Sequence, residues 1–163
     1  MPPRSPTSFV AASSPNIQPM RNTTNAPSIR LLAPVATVLR NPAAHGYPDL
    51  PAIRRYRVRF EGYQRQADLI GGELFAEAGS SRKPLDQNLT KRLLSLPATD
   101  SDSRVMNIGE LLYQAAETHL DCRHPEWTAA EGTYGMIDFR FVPRLRITGT
   151  ITQRSISLLT CRL

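Results

Sequence analysis

Three side chains that could bind a metal or act as a nucleophile lie within six residues of one another. They are His119, Cys122 and His124, and a second cysteine, Cys161, follows near the C-terminus. Imidazole and thiolate are the ligands that zinc prefers, and a structural zinc site needs four of them in a tetrahedron. The spacing H-x2-C-x-H is crowded for one ion, and ordinary loop histidines with an inert thiol explain it as well. We therefore predict no bound metal and no cofactor.

An enzyme would need a nucleophile or paired acid–base groups placed together. Cys122 has a histidine two residues away, but no glycine or amide cluster suggests an oxyanion hole. Glu73 and Glu77 are four residues apart, a pair that is usually just solvated. The glycines of LIGGEL lack the spacing and the lysine of a phosphate-binding loop. We predict a non-enzymatic protein, with an enzyme using His119, Cys122 and His124 as an alternative.

Arginine dominates the charge of this chain. The formal net charge is +6, and of the 20 basic residues only Lys83 and Lys91 are lysine. Guanidinium groups bind phosphate and carboxylate bidentately, so this composition favours acidic partners. Residues 1–48 contain four arginines and no acidic residue.

The composition changes near residue 51, where a proline-rich segment ends. Residues 1–51 hold ten of the fourteen prolines. Prolines at this density interrupt helices and cannot donate hydrogen bonds to a sheet. We predict a flexible basic arm over residues 1–51, disordered over 1–28 and extended or weakly ordered over 29–51, followed by a globular domain over 52–163.

The patterns of the second segment indicate an α+β domain. In YRVRFEGY, Tyr56, Val58 and Phe60 alternate with charged residues, which predicts a half-buried strand. Leucine spacing predicts a helix over residues 84–96, and Asn107 with Glu110 predicts a capped second helix. Three strand-like runs follow, so the fold prediction is an antiparallel sheet of about four strands with two or three helices on one face.

Two groups of residues are candidates for contact with acidic surfaces. The basic candidates for anionic-surface binding are Arg30, Arg40, Arg54, Arg55, Arg57 and Arg59. The apolar candidates for membrane contact are Leu31, Leu32, Val35, Val38 and Leu39. The alternatives are a strand face kept soluble by charge and an apolar strap or edge strand that packs on the domain.

The tetrapeptide Tyr47-Pro48-Asp49-Leu50 is a candidate docking peptide. Pro48 restricts the backbone to an extended shape, so Tyr47 and Leu50 would present two apolar anchors. This sequence resembles the Tyr-Pro-x-Leu late-assembly motif by which some enveloped viruses recruit host membrane-scission machinery. The layout of a basic proline-containing arm and one α+β domain is similar to that of rhabdovirus-type matrix proteins.

The resemblance implies a viral matrix-like structural protein that links ribonucleoprotein to the inner face of a membrane and promotes assembly and budding. The implied partners are an anionic membrane surface, viral ribonucleoprotein or RNA, the host scission machinery through residues 47–50, and further copies of the chain. The expected location is the virion and the host cytoplasm or inner membrane face, because no secretion signal or transmembrane run is present. An organelle-targeted or nucleic-acid-associated accessory protein and a bacterial secreted effector are alternatives.

Overall fold

A computed structural model describes residues 18–19, 27–64, 66–76, 83–100, 102–128 and 132–153. The elements in chain order are β1 (Gln18–Pro19), α1 (Pro27–Arg40), a 3-10 turn (Pro42–His45), β2 (Arg55–Tyr63), β3 (Gln66–Phe75), α2 (Gln87–Leu94), β4 (Pro97–Thr99), β5 (Val105–Asn107), α3 (Ile108–Arg123), a second 3-10 turn (Pro125–Thr128), β6 (Thr133–Arg140) and β7 (Arg146–Gln153). The α+β prediction is confirmed.

The main sheet is antiparallel, with strand order β1-β7-β6-β2-β3. Four of its strands are long, in agreement with the predicted number, and the short β1 adds a fifth at one edge. The strand β2 is an interior strand that pairs with β3 on one side and β6 on the other. Strands β4 and β5 form a separate small hairpin.

The helix α1 replaces most of the arm predicted for residues 29–51. Its residues Leu32, Val35 and Leu39 are fully buried in the core, and their spacing is that of one helix face. Pro34 lies inside the helix and removes one backbone hydrogen bond at a cost of about 3 kcal/mol. Burying each large apolar side chain contributes about 1.5–3 kcal/mol, so the packed face outweighs the proline.

The boundary between arm and domain therefore lies nearer to residue 27 than to residue 51. Apart from Gln18–Pro19, the segment before Pro27 lies outside the described residues. The disorder predicted for residues 1–28 therefore falls mostly on residues that the structure does not describe. Residues 41–53 continue from α1 along the domain, and the backbone N–H of Ile53 donates to the carbonyl of Leu39 over 2.7 Å.

The helices cover one face of the sheet and enclose the core. α1 packs on α3, and both contribute to one apolar cluster with the inner residues of the strands, among them Val58, Phe60 and Phe139. The α3 cap was predicted correctly, because Asn107 accepts from Glu110 N over 2.8 Å while the Glu110 carboxylate accepts from Asn107 N over 3.2 Å. The α2 helix begins at Gln87, after an Asp86 cap, and so is shorter than predicted.

The glycines account for two differences in the strands. LIGGEL belongs to β3, where Gly71 has φ +62° and is the extra residue at an irregularity opposite Val58 and Arg59; a bulge of this kind favours glycine. Gly149 continues within β7, so the last two strand-like runs join into one strand as far as Gln153. The remainder of the third run lies beyond the described residues.

Candidate anion-binding face of the sheet

The face of the sheet opposite the helices is built from the charged positions of β2, β3, β6 and β7. The alternation predicted for β2 is confirmed, because Tyr56, Val58 and Phe60 are buried in the core while Arg57 and Arg59 lie on the other side. The strand register aligns the residues of this open face in rows. The rows differ in charge.

The first row is made of arginines. Arg55 lies directly opposite Arg140, and Arg140 lies directly opposite Arg146. Residues that face each other across an antiparallel pair have Cβ atoms about 4.5–5.5 Å apart, so like charges there repel. Three positive charges therefore lie side by side across β2, β6 and β7.

Arg55 is the buried member of this row, with 3% of its surface exposed. Its guanidinium carbon lies 4.2 Å from the centre of the Phe75 ring, an attractive cation–π geometry. Its Nε is 3.7 Å from Asp138 Oδ1, too far for a hydrogen bond, and Nε and Nη2 have no hydrogen-bond partner. Burial is the main cause of the lowered pKa of Arg55. Asp138 and Glu73 oppose this shift, whereas the neighbouring Arg57 and Arg140 add to it.

The carboxylate nearest to Arg55 is bound by a different arginine. Asp138 Oδ1 accepts from Arg57 Nε over 3.1 Å, and Asp138 Oδ2 accepts from Arg57 Nη2 over 3.4 Å. On its other side Arg57 faces Glu73 in the strand register. The second row thus holds one arginine between two carboxylates, which the sequence of β2 alone could not show.

The charge changes sign further along the open face. In the third row Arg59 stands between Ile70 and Met136, and in the fourth row Glu61 lies opposite Asp68. The exposed rings of Tyr63 and Tyr134 belong to this acidic end. Arg59 is therefore separated from the first row, and β3 and β6 place acids beside the charged face that was predicted for β2.

Further arginines surround the first row at the same end of the sheet. Arg40 Nε donates to the carbonyl of Phe141. The backbone N–H of Phe141 in turn donates to the carbonyl of Arg54 over 2.8 Å, so Arg40 and Arg54 both lie next to Phe141. Arg144 lies in the turn between β6 and β7 and is exposed. We call this group the arginine end; it consists of Arg40, Arg54, Arg55, Arg140, Arg144 and Arg146.

Arg30, the remaining basic candidate, lies elsewhere. It is exposed in the first turn of α1, whereas Arg40 is in the last turn. Ten residues of helix span about 15 Å, so Arg30 is not part of the arginine end.

The apolar residues predicted to contact a membrane are part of the core. Leu32, Val35 and Leu39 have no exposed surface, and Leu31 and Val38 are half-buried against the same cluster. They face α3 and the sheet because the segment is an amphipathic helix and not an extended strap. The membrane-contact prediction is therefore wrong for this folded state, and the alternative of packing on the domain is confirmed.

Residues 47–50 form a turn. The backbone N–H of Leu50 donates to the carbonyl of Tyr47 over 3.2 Å, so the predicted extended shape is wrong. Leu50 is buried and Tyr47 is half-buried, and both line a shallow groove with Lys91 and Leu96. Pro48 and Asp49 are exposed, and the Asp49 carboxylate pairs with Arg92, which lowers the pKa of Asp49.

The histidines and cysteine considered first are not brought together. His119 is 3% exposed on the inner face of α3, whereas Cys122 is exposed and His124 is near Glu126 over 3.4 Å. Within the described ranges no group of three or more His, Cys, Asp or Glu side chains could hold a metal ion. Cys161 and Glu77 lie outside those ranges, and Glu73 faces Arg57.

His119 is nevertheless unusual. Both of its ring nitrogens are buried without a hydrogen-bond partner. Burial, followed by the charges of His124 and Arg123, lowers its pKa to about 4. The imidazole is therefore neutral at physiological pH.

Arg140, Arg144 and Arg146 were not among the candidates drawn from the sequence. The signal was present in IDFRF and RLRIT, where arginines alternate with apolar residues as they do in β2. Their position beside Arg55 depends on strand pairing, which alternation alone does not give.

Comparison of the chain with protein families, with curated proteins and with solved structures finds no significant match. Over the part of the chain that the structure describes, no helix is both long and apolar enough to cross a bilayer.

Proposed function

We propose that this protein is a non-enzymatic, viral matrix-like structural protein whose arginine end binds the anionic inner face of a membrane. The observation that carries the proposal is the convergence of six arginines at one end of the sheet, from α1, β2, β6, β7 and the connecting turn. Arginine binds anions but supplies no general acid or base near neutral pH, so the cluster suits recognition and not catalysis.

A membrane surface fits this cluster better than single-stranded RNA does. RNA-binding surfaces commonly combine cations with exposed aromatic rings on which bases stack. Here the exposed Tyr63 and Tyr134 lie at the opposite, acidic end of the open face, beside Glu61 and Asp68. A compact patch at one end of the domain can instead approach a flat layer of lipid headgroups, each exposed arginine contributing about 1 kcal/mol.

In this proposal the link to the viral ribonucleoprotein is made by the N-terminal segment. Residues 1–26 contain Arg4 and Arg21 and no acidic residue. The segment precedes α1 in the chain. Self-association and budding remain parts of the proposal that follow from the resemblance to matrix proteins.

Recruitment of the host scission machinery through residues 47–50 requires a local opening. A partner that grips both Tyr47 and Leu50 must first remove Leu50 from the core. A synthetic peptide of residues 44–53 should accordingly bind such a partner more tightly than the folded chain does.

Flotation with vesicles tests the membrane proposal. The full chain should float with phosphatidylserine-containing vesicles at about 0.05 M salt and less at about 0.3 M, because salt screens exposed charges. It should not float with neutral phosphatidylcholine vesicles. Failure to float with anionic vesicles at low salt would contradict the proposal, and displacement from them by excess single-stranded RNA would favour an RNA-binding function for the same residues.

A further inference from the structure

Arg55 holds a buried positive charge that the described protein does not fully compensate. Its Nε and Nη2 are buried and form no hydrogen bond, and its nearest carboxylate is already bound by Arg57. A buried guanidinium with unused donors is costly, since both its charge and its N–H groups lose water. Such an orphan suggests a missing anionic partner.

The next residue in the row adds to the shortage of negative charge. Arg140 lies directly opposite Arg55, is exposed, and forms no ion pair with any described residue. Arg146 follows on β7, and Arg144 is in the turn that joins the two strands. The nearest acids in the register, Asp138 and Glu73, belong to the second row and face Arg57.

We propose that the row formed by Arg55, Arg140 and Arg146 binds a phosphate monoester. This group carries a charge of about −1.5 to −2 at pH 7 and three acceptor oxygens. Guanidinium forks bind phosphate oxygens bidentately. Arg140 lies on the strand next to that of Arg55, and adjacent strands are about 4.8 Å apart, so its long side chain can reach the same phosphate. Arg140 is exposed and Arg55 is buried, so a phosphate would meet Arg140 first.

The inference rests on the proposed membrane function and specifies the lipid chemistry. A phosphodiester or a carboxylate headgroup offers one negative charge per group, whereas a terminal phosphate offers two charges to a row of three cations. The arginine end should therefore prefer lipids with a terminal phosphate, such as phosphatidic acid, over phosphatidylserine at equal total vesicle charge. A soluble phosphate should bind the same row in the absence of any membrane.

The direct test follows the arginine Nε–H resonances of the full chain during a titration with inorganic phosphate. Saturable shifts of Arg55 and Arg140, absent when chloride is added to the same ionic strength, are the expected result. Arg140→Gln should weaken phosphate binding by about tenfold, whereas Lys91→Gln, which removes an exposed charge from α2, should leave it unchanged. Equal shifts with chloride, or unchanged binding in Arg140→Gln, would overturn the inference.

Arg140→Lys distinguishes bidentate binding of phosphate by a guanidinium group from attraction by positive charge alone. The variant keeps the charge but loses the planar pair of donors, so it should weaken phosphate binding while floating with phosphatidylserine vesicles like the wild type. Because Arg140 is exposed, the variant should fold like the wild type, and far-ultraviolet circular dichroism checks this. A phosphate affinity equal to that of the wild type would contradict bidentate binding of phosphate by Arg140.

The two proposals fail in different ways. Flotation with anionic vesicles but no saturable phosphate shift would leave the membrane function standing and reject the phosphate site. Saturable phosphate binding without flotation on either phosphatidic acid or phosphatidylserine vesicles would retain the site as one for a soluble phosphate compound and reject the membrane function.

Discussion

The two faces of the central sheet use alternate residues of the same strands in opposite ways. On the covered face, Tyr56, Val58 and Phe60 join a core closed by α1 and α3. On the open face, the residues between them form rows that pass from three arginines to a pair of acids. Substitutions on the covered face should therefore change stability, whereas those at the arginine end should change binding.

The largest effect is expected where α1 completes the covered face. The double variant Leu32→Ala/Leu39→Ala removes two fully buried side chains, at about 2–5 kcal/mol each. That total is comparable with the whole stability of an ordinary domain. Urea unfolding should find the protein largely unfolded without denaturant, and a midpoint near that of the wild type would show that α1 is not part of the core.

A matched pair of truncations sharpens the same point. Removal of residues 1–17 retains α1 and should leave the cooperative unfolding transition in place. Removal of residues 1–40 deletes α1 with its buried leucines and should abolish that transition.

The next effect is a pH dependence that arises from His119 on the covered face. Burial lowers its pKa from 6.5 to about 4, so the unfolded chain takes up a proton at a higher pH than the folded chain does. This contribution to stability is complete above about pH 6.5 and is lost progressively as the pH falls towards 4, amounting to about 3 kcal/mol across the window.

Urea unfolding of the wild type and His119→Leu at a series of pH values isolates this contribution. The difference in free energy of unfolding between the two proteins should change by about 3 kcal/mol between pH 7 and pH 4. Only the wild type has an imidazole at position 119 that takes up a proton more readily in the unfolded chain than in the folded one. A difference that is constant with pH would contradict the assigned burial. His45→Gln is the control, since this histidine is exposed and lies in the 3-10 turn after α1.

A smaller effect is expected from Asp138, which links the first two rows of the open face. Asp138→Asn removes the carboxylate that binds Arg57 and lies nearest to Arg55. Leaving a buried charged donor without its acceptor should cost about 1–3 kcal/mol. Added phosphate should recover part of this loss if the anion enters beside Arg55, which a thermal unfolding series with phosphate and chloride can measure.

Local sequence patterns predicted those features that depend on near neighbours in the chain. The alternation of β2 and the capping of α3 by Asn107 and Glu110 are examples, since each is set within a few residues. The helix α1 was not predicted, because the proline content of residues 1–51 obscures the helical spacing of Leu32, Val35 and Leu39. A buried face can compensate one internal proline, which composition does not reveal.

The arginine end could be predicted only in part, because it depends on pairing between distant segments. Arg54 and Arg55 were candidates, but Arg140 reaches Arg55 through the register of β2 and β6. The burial of Arg55 under Phe75 and the neutralisation of Arg57 by Asp138 likewise require β3 and β6. The charge of one strand therefore does not predict a binding surface unless the strands that pair with it are known.

The central claim is that the arginine end, and not the net charge alone, contacts the membrane. Arg144→Gln and Lys91→Gln each remove one exposed positive charge, from the turn between β6 and β7 and from α2 respectively. Partitioning onto phosphatidylserine vesicles at low salt should fall about fivefold in Arg144→Gln and hardly change in Lys91→Gln. Equal losses in the two variants would contradict the claim.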